Sequence, residues 1–423
     1  MKPTNLFKLV LVSLLLVLNS ALIHAQVTAI KAGKLLDPET GTITANQIIL
    51  IENQTIKAIG PDIKIPNGAS IVDLSNRTVL PGLFDAHTHL CMTTRRKRDA
   101  GNYYYTTLID SNAYRAIQGV ANARSMLETG FTTVRDVGNS GNYVDTDLRR
   151  SIDEGLVPGP TIINAGRIIA PYGGQFQLQP DKRDLANPEY FFADTRDELK
   201  KAVRENIHYG ARVIKLVVDD QRYIYSVDDI RFVIEEAARA GLKVAAHAWT
   251  DAGTRNAAEA GVVSIEHGFS ASNETFLIAK RNGVALVPTP LTEISVREFD
   301  TTGANQESNK RWFIDPVKRA HEIGVTLVFG PDVIFTTAEY PRGRLSIETI
   351  DNWVEAGIPA KVILQALTTN AARLLGVEKE RGALRVGMKA DIIATAANPL
   401  ENIQTLKAAT FVMKNGRVFK ENK

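Results

Sequence analysis

The chain has 423 residues, of which 44% are hydrophobic and 23% are charged, a composition that is ordinary for a globular protein. This length accommodates one large barrel of about 250 residues or more together with a smaller domain. The formal net charge is only +3, which excludes the strongly basic surface typical of nucleic-acid-binding proteins, so we expect no nucleic-acid partner.

Residues 1–25 have the pattern of a secretory signal peptide. MKPTNLFK is positively charged, LVLVSLLLVL is an apolar run too short to span a membrane comfortably, and Ala25 is a small residue at a suitable cleavage point. An uncleaved anchor helix is the alternative, because the apolar character continues with interruptions to Ile23. We predict cleavage after Ala25, no stable membrane span afterwards, and an exported protein that is periplasmic or secreted.

Two β-rich segments at the ends of the chain flank a long middle region. Residues 26–79 contain strand patterns such as VTAIKAGKLL and NQIILIENQTIKAIG. Residues 382–423 contain similar strand patterns in GALRVGMKADIIATAA and TFVMKNGRVF. We predict that the two segments complete one small composite β-sandwich. Residues 80–381 then form a single inserted domain.

The middle region alternates short apolar strands with amphipathic helical stretches such as TRDELKKAVRENIHYG and DDIRFVIEEAARAG. This alternation predicts an α/β fold, a (β/α)8 TIM-like barrel of parallel strands. The eight strand candidates are TVLPGLFDAHTH, GFTTVRDV, TIINAGRII, ARVIKLVV, LKVAAHA, VVSIEH, VALVPT and VTLVFG.

Polar residues end several of these strands, where a barrel of this type carries its chemistry. His87 and His89 lie two residues apart, so in a strand both imidazoles face the same way and can reach one metal ion. The further strand-end residues are Lys215, His247, His267 and Asp332. Each has a simpler interpretation alone, such as a snorkelling lysine or a turn aspartate. Their convergence is harder to explain by packing, because buried charges need partners.

These residues, in this order, resemble the amidohydrolase superfamily over essentially the whole chain after the signal peptide. PGLFDAHTHL is similar to the family's His-x-His strand, and the flanking β segments resemble its composite sandwich. The motifs VIKLVV, AAHAWT, SIEHG and ALTTNAARLLGV are most similar to the two-metal branch, which includes Xaa-Pro dipeptidase-like and imidazolonepropionase-like enzymes.

The resemblance implies two divalent metal ions, with zinc as the default and manganese or cobalt as alternatives. His87, His89 and Asp332 would hold one ion, and His247 and His267 the other. A lysine ammonium cannot ligate a cation, so the resemblance implies that CO2 converts Lys215 to a carbamate shared by both ions. Asp332 would also be the catalytic residue that carries a proton from the metal-activated water to the leaving nitrogen.

The first functional hypothesis is an exported hydrolase that cleaves the amide bond of Xaa-Pro dipeptides or related aminoacyl or N-acyl amino acid amides. A second is hydrolysis of cyclic amides, as in imidazolonepropionase-like enzymes, or of amide-linked aromatic metabolites. A third is a non-catalytic barrel scaffold, which would be recognised by a missing ligand. The expected partner is thus a small-molecule or dipeptide amide, and homo-oligomer formation is left open.

Three residues are candidates for substrate contact. Gln175 stands in APYGGQF where relatives carry Gly-Gly-His, so it could donate a hydrogen bond but could not titrate as an imidazole does. Arg96 lies in a basic run that could bind a substrate carboxylate. Tyr223 follows the lysine strand. The alternatives are a loop glutamine, a solvated charge run and ordinary loop packing.

Overall fold

The computed structural model describes residues 27–99, 101–176, 178–299 and 306–422. The predicted signal peptide, residues 1–25, lies outside these ranges, and its cleavage stays a prediction. No helix within the described ranges is long and apolar enough to cross a membrane.

The strands fall into a group at both chain ends and a group in the middle. The strands are β1 (Val27–Asp37), β2 (Thr42–Glu52), β3 (Thr55–Gly60), β4 (Ser70–Pro81), β5 (Leu83–Thr88), β6 (Phe131–Asp136), β7 (Thr161–Asn164), β8 (Ile168–Ala170), β9 (Tyr190–Phe192), β10 (Ile214–Val217), β11 (Val244–Ala248), β12 (Ser264–His267), β13 (Ala285–Val287), β14 (Ile392–Thr395), β15 (Phe411–Lys414) and β16 (Arg417–Glu421).

The helices lie between the middle strands and after them. The α-helices are α1 (Arg96–Asp99), α2 (Tyr103–Ile109), α3 (Asn112–Thr129), α4 (Val144–Asp153), α5 (Arg196–His208), α6 (Val227–Ala238), α7 (Asp251–Ala260), α8 (Asn273–Arg281), α9 (Glu293–Phe299), α10 (Gln306–Ile323), α11 (Arg342–Glu348), α12 (Ile350–Glu355), α13 (Ala360–Ala366) and α14 (Thr369–Leu375). Two 3-10 helices span Pro180–Ala186 and Ile403–Ala408.

Both chain ends build one seven-stranded sheet, in the order β16-β15-β14-β4-β1-β2-β3. β14 pairs antiparallel with β4, and Ile393 lies opposite Leu80. Apolar residues from both ends, among them Ile30 and Phe411, share a core separate from that of the barrel. β4 continues to Pro81, across the boundary predicted between residues 79 and 80, because its last residues pair with β14.

The middle strands close into a ring of eight parallel positions. β5, β6 and β7 pair in that order, and β10, β11, β12 and β13 follow. The backbone N–H groups of Arg212 and Val213 donate to Asn164 O and join β7 to β10. Residues 325–330 take the eighth position, since Val328 N donates to Leu286 O and Ala86 N to Phe329 O. The predicted (β/α)8 barrel with a composite β-domain is confirmed.

Local sequence signals place the helices outside this ring. At the start of α5, Thr195 accepts from the backbone N–H of Glu198 while the Glu198 side chain accepts from Thr195 N, a reciprocal cap that fixes where the helix begins. Ser226 and Asp229 form the same arrangement at α6. The buried faces of the helices, such as Leu199 and Ile230, join the strands in one apolar core. The barrel therefore holds its strand ends rigidly.

Candidate active site

The six predicted strand-end residues gather around one cavity of about 120 Å³. Its wall contains four histidines and two charged residues, namely His87, His89, Lys215, His247, His267 and Asp332. The remaining lining residues are Met92, Tyr103, Asn139, Ile168, Gln175, Trp249 and Ile334. The histidine ring centroids form a chain of close neighbours, 5.3 Å from His89 to His87, 5.2 Å from His87 to His267 and 4.5 Å from His267 to His247.

His87 is oriented by a buried ion-pair network. Its Nδ1–H donates to Glu266 Oε2 at 2.7 Å, and Arg135 Nη2 donates to Glu266 Oε1 at 2.6 Å. Burial opposes ionisation of Glu266, yet the Arg135 guanidinium and His87 hold the pKa of this carboxyl well below its usual range. The Nε2 atom of His87 is thereby turned towards Asp332, whose Oδ1 lies 3.7 Å away.

His89 and His267 are held in the same way through one ring nitrogen. His89 Nδ1 donates to Gly138 O at 2.8 Å, and its Nε2 lies 3.3 Å from Asp332 Oδ1. His267 Nδ1 is hydrogen-bonded to Thr289 Oγ1 at 2.8 Å. Partners of this kind fix the ring orientation and the tautomer of a metal-binding histidine.

His247 lies beside a carboxylate that the sequence analysis did not single out. Its Nε2 is 2.8 Å from Asp220 Oδ2, and both side chains are largely buried. Asp220 Oδ2 also accepts from Gln175 Nε2 at 2.8 Å, and Gln175 Oε1 accepts from Tyr190 Oη at 2.7 Å.

Lys215 and Asp332 carry the titratable groups between these imidazoles. Burial lowers the pKa of Lys215 to about 8, so a substantial share of its amine is neutral at mildly alkaline pH. Burial alone would raise the pKa of Asp332, but the adjacent His87 and His89 lower it to about 2. Asp332 is therefore a carboxylate at neutral pH, the form that binds a cation.

Burial also keeps two of the imidazoles neutral. The pKa of His87 is lowered to about 4 by burial and by the Lys215 charge. That of His267 is lowered well below its ordinary value by burial and by His247. Neutral imidazole is the form that ligates metals.

The backbone around the cavity is strained at several residues that are not glycine. His267, Thr289, Asp332 and Asp220 have φ values of 76°, 46°, 54° and 95°. Positive φ is costly for such residues, most of all for the β-branched threonine, and it persists where the surroundings impose it, often at functional sites. Here it occurs at the ends of strands that aim side chains into the cavity.

This donor set fits divalent metal ions. Ligand atoms of His87, His267 and Asp332 lie within 4.8 Å of one another. Neutral imidazoles combined with a carboxylate suit zinc and related ions.

The three predicted substrate contacts have different positions. Gln175 lines the cavity. Arg96 is exposed in the short helix α1, and Tyr223 is 53% exposed and contacts Tyr225. Neither is among the described residues that line the cavity.

Sequence reasoning missed Glu266, Asp220 and Trp249. Glu266 directly precedes His267, and an acidic residue inside the apolar strand SIEH was the available signal for it. Asp220 follows β10 in VVDDQ, where two adjacent acids at a strand end carried a comparable signal. Asp219 has a structural role, since its carboxylate accepts from the backbone N–H groups of Trp249 and Thr250.

Comparisons with known proteins agree with this architecture. The model of the amidohydrolase family matches residues 78–419. Ochratoxinase of Aspergillus niger is 29% identical over 434 residues, covering 94% of this chain and 87% of the relative. Imidazolonepropionase of Geobacillus kaustophilus is 24% identical, covering 83% and 84% of the two chains.

Solved structures give the same result. A Xaa-Pro dipeptidase with bound methionine in the active site is 29% identical, with a TM-score of 0.81 over 93% of this chain and 100% of the other. The A. niger ochratoxinase structure is 26% identical, with a TM-score of 0.79 over 94% and 96%.

The barrel, its composite β-domain and the histidine-rich cavity at the strand ends together define a metal-binding hydrolase of C–N bonds. The chain belongs to the amidohydrolase family. The resemblance inferred from the sequence, with Xaa-Pro dipeptidase and imidazolonepropionase among the similar proteins, is confirmed.

Proposed function

We propose that this chain is an exported two-metal amidohydrolase that cleaves the amide bond of Xaa-Pro dipeptides or of related aminoacyl or N-acyl amino acid amides. The observation that carries this proposal is the gathering of four imidazoles, Lys215 and Asp332 around one cavity. The similarity to a Xaa-Pro dipeptidase over nearly the full chain supports the choice of substrate. The signal pattern in residues 1–25 supports export, which N-terminal sequencing of the secreted or periplasmic protein tests.

His87, His89 and Asp332 would hold one metal ion, and His247 and His267 the other. Zinc is the proposed ion, because imidazole and carboxylate donors suit it. Bound divalent ions would supply polarisation of the substrate carbonyl and a lowered pKa for water. Glu266 and Thr289 fix two of the rings, so the positions of their metal-facing nitrogens are set before any ion binds.

Lys215 is proposed to be carbamylated. Its buried amine, with a pKa of about 8, is partly neutral near physiological pH. The neutral nitrogen can therefore form a bond to the carbon of CO2, and loss of one proton leaves an N-carboxylate that both metal positions can share. Lys215→Ala should lose metal and activity together, and added formate or acetate should restore part of both. Two metals per chain and normal turnover in Lys215→Ala would contradict this role.

Asp332 is the proposed proton carrier. Its low pKa keeps it ionised at neutral pH, and it lies beside His87 and His89 in the wall of the cavity. It would accept a proton from the attacking water and return it to the leaving nitrogen, so that an amine and a carboxylic acid are the products. Gln175, fixed between Tyr190 and Asp220, presents an amide group to the cavity and is the proposed hydrogen-bond partner of the substrate.

The proposal is tested with purified protein whose metal content is measured by mass spectrometry. Two ions per chain are expected, together with hydrolysis of at least one member of a panel of Xaa-Pro dipeptides and N-acyl amino acids. Removal of the metal by a chelator should abolish hydrolysis, and added zinc should restore it. A fully metallated sample that hydrolyses no amide, cyclic amides included, would contradict the proposal and leave a non-catalytic barrel.

A further inference from the structure

A cluster of aromatic side chains extends outwards from the second histidine pair. We call it the aromatic shelf, and it consists of Trp249, Phe269, Trp312 and Phe313. Trp249 lines the cavity and lies almost parallel to the His247 ring, with 5.8 Å between centroids and 24° between planes. Phe269 lies 5.6 Å from Trp249 and 4.7 Å from Trp312, and Trp312 lies 5.9 Å from Trp249.

The outer members of the shelf are exposed although they are large and apolar. Trp249 and Trp312 are each 40% exposed. Adjacent exposed aromatic residues at the border of a binding cavity are typical of a contact surface for a ligand, whereas isolated exposed apolar residues need no explanation. The shelf is held in place by Phe269, which is buried, and by the edge of the His267 ring 5.9 Å from Trp249.

The size of the cavity determines how much of a substrate it can enclose. The cavity has a volume of about 120 Å³, and its lining includes Trp249, which is 40% exposed. A large group attached to the amide can therefore extend out of the cavity past Trp249. At the edge next to His247 and His267, the surface that receives such a group is the shelf.

The position of the shelf relative to Asp332 determines which half of the substrate it meets. Asp332 pairs with His87 and His89 and also lies within 4.8 Å of a ring nitrogen of His267. Trp249 is nearly parallel to the ring of His247, at the opposite end of the row of four histidines. If Asp332 delivers the proton to the leaving nitrogen, that nitrogen lies at the Asp332 end of the cavity. The acyl half then points towards Trp249.

We propose that the aromatic shelf binds an aromatic side chain on the acyl half of the substrate, so that the preferred substrates are amides of aromatic amino acids. This inference rests on the proposed function and specifies its substrate class. Ring stacking at offset or edge-to-face geometry adds attraction beyond simple apolar burial. We therefore expect kcat/KM for Phe-Ala to exceed that for Ala-Ala by about tenfold or more, and Ala-Phe to show no such advantage over Ala-Ala.

The kinetic test compares these three dipeptides in the metallated wild type and in Trp249→Leu and Trp312→Leu, which keep apolar volume but lose the ring. Each variant should lower the ratio of Phe-Ala to Ala-Ala by threefold or more. Tyr209→Leu is the matched control, because Tyr209 is a 49% exposed aromatic residue that does not line the cavity; its ratio should equal that of the wild type. A preference for Ala-Phe, or ratios unchanged in both tryptophan variants, would overturn the proposal.

A binding test separates this proposal from the proposed function. L-phenylalaninol has no amide to hydrolyse, and two of the three tryptophans of the chain lie on the shelf while Trp353 is buried. Titration with L-phenylalaninol should quench tryptophan fluorescence at concentrations at least about tenfold lower than titration with L-alaninol, and this difference should vanish in Trp249→Leu. Selective quenching supports the shelf even if none of the dipeptides is hydrolysed. Equal binding of the two amino alcohols would overturn the proposed role of the shelf even if the dipeptides are hydrolysed.

Discussion

At the scale of single residues, the site depends on polar partners behind the histidines. Glu266, the Gly138 carbonyl and Thr289 each engage the Nδ1 atom of one ring, and Asp220 lies next to His247 Nε2. The cost of burying these groups is offset by the hydrogen bonds that they make. These contacts restrict rotation of the imidazole rings, so a metal ion that binds does not have to order them.

Asp332→Asn should keep most of the bound metal while kcat falls by about a thousandfold or more. The amide oxygen can still occupy a ligand position, but an amide cannot accept a proton at neutral pH, and a positioned acid–base group contributes about 10²–10⁴-fold. Metal analysis and steady-state kinetics on the same sample check both parts. Turnover near that of the wild type would remove Asp332 from the mechanism.

Asp220→Asn should weaken metal binding by about tenfold, since it removes the negative charge beside His247 while keeping an oxygen for Gln175. Titration of the apoprotein against a chromogenic chelator measures the change. Asp228→Asn is the matched control, because it removes the same charge from an exposed residue near the start of α6 and should leave affinity unchanged. Equal affinities in the two variants would show that Asp220 does not support the site.

The sequence was sufficient to predict that the six strand-end residues would meet at one cavity, since a barrel brings strand ends together whatever the loops do. The sequence was not sufficient to predict the hydrogen-bond partners of the histidines. Glu266 reaches His87 across 179 residues, and only the closed ring determines that these two strands present their side chains to each other. The role considered for Arg96 depended on loop geometry, which charge and composition do not specify.

At the scale of elements, the eighth barrel position is made by a segment with few strand hydrogen bonds. Residues 325–330 close the ring between β13 and β5, and the segment ends at Gly330. A Cβ atom at Gly330 would lie 2.6 Å from Val287 Cγ1 and 2.8 Å from His87 N. Glycine is therefore required so that the closing segment can approach the strand that carries His87.

Gly330→Ala should destabilise the fold by roughly 1–3 kcal/mol, the typical cost of overpacking, and should lower metal affinity because the clash falls on His87. Urea unfolding of the apoprotein and a chelator titration measure the two effects. Gly60→Ala serves as the control, since its Cβ would meet Ile63 at an ordinary 3.5 Å. Unchanged metal affinity in Gly330→Ala would mean that the strand of His87 adjusts without cost.

At the scale of the whole molecule, the sheet from the chain ends and the barrel are joined by buried contacts. Lys414 in β15 is buried, and its Nζ donates to Gly159 O at 2.9 Å. Burial lowers the pKa of this amine from 10.5 to about 8. The hydrogen bond to Gly159 stabilises the fold, whereas burial of the charged Lys414 amine destabilises it.

The burial of Lys414 should make stability depend on pH in a defined window. Between about pH 8 and 10.5 the unfolded chain binds the proton and the folded chain does not, so this residue contributes a gain in stability as pH rises. Below pH 8 the full penalty of burying the charged amine, roughly 3 kcal/mol, is present. Lys414→Met should therefore be more stable than the wild type at pH 7, with the difference reduced by about 1 kcal/mol for the lost hydrogen bond.

Urea unfolding at pH 7 and pH 10 measures this difference, which should shrink or reverse at the higher pH. Lys64→Met is the control, because Lys64 is exposed in the loop before β4 and its removal should change stability equally at both pH values. A Lys414→Met variant that is less stable than the wild type at pH 7 would mean that the hydrogen bond to Gly159 outweighs the cost of burial.

The composite sheet also sets the order of events during translation. Thr395 of β14 bonds to Thr78 of β4 across 317 residues, so the ribosome completes the entire barrel sequence before β4 receives its second neighbour. Until then the nascent chain displays an unpaired strand edge, which is the kind of surface that templates aggregation. Pairing of β14 with β4 covers this edge.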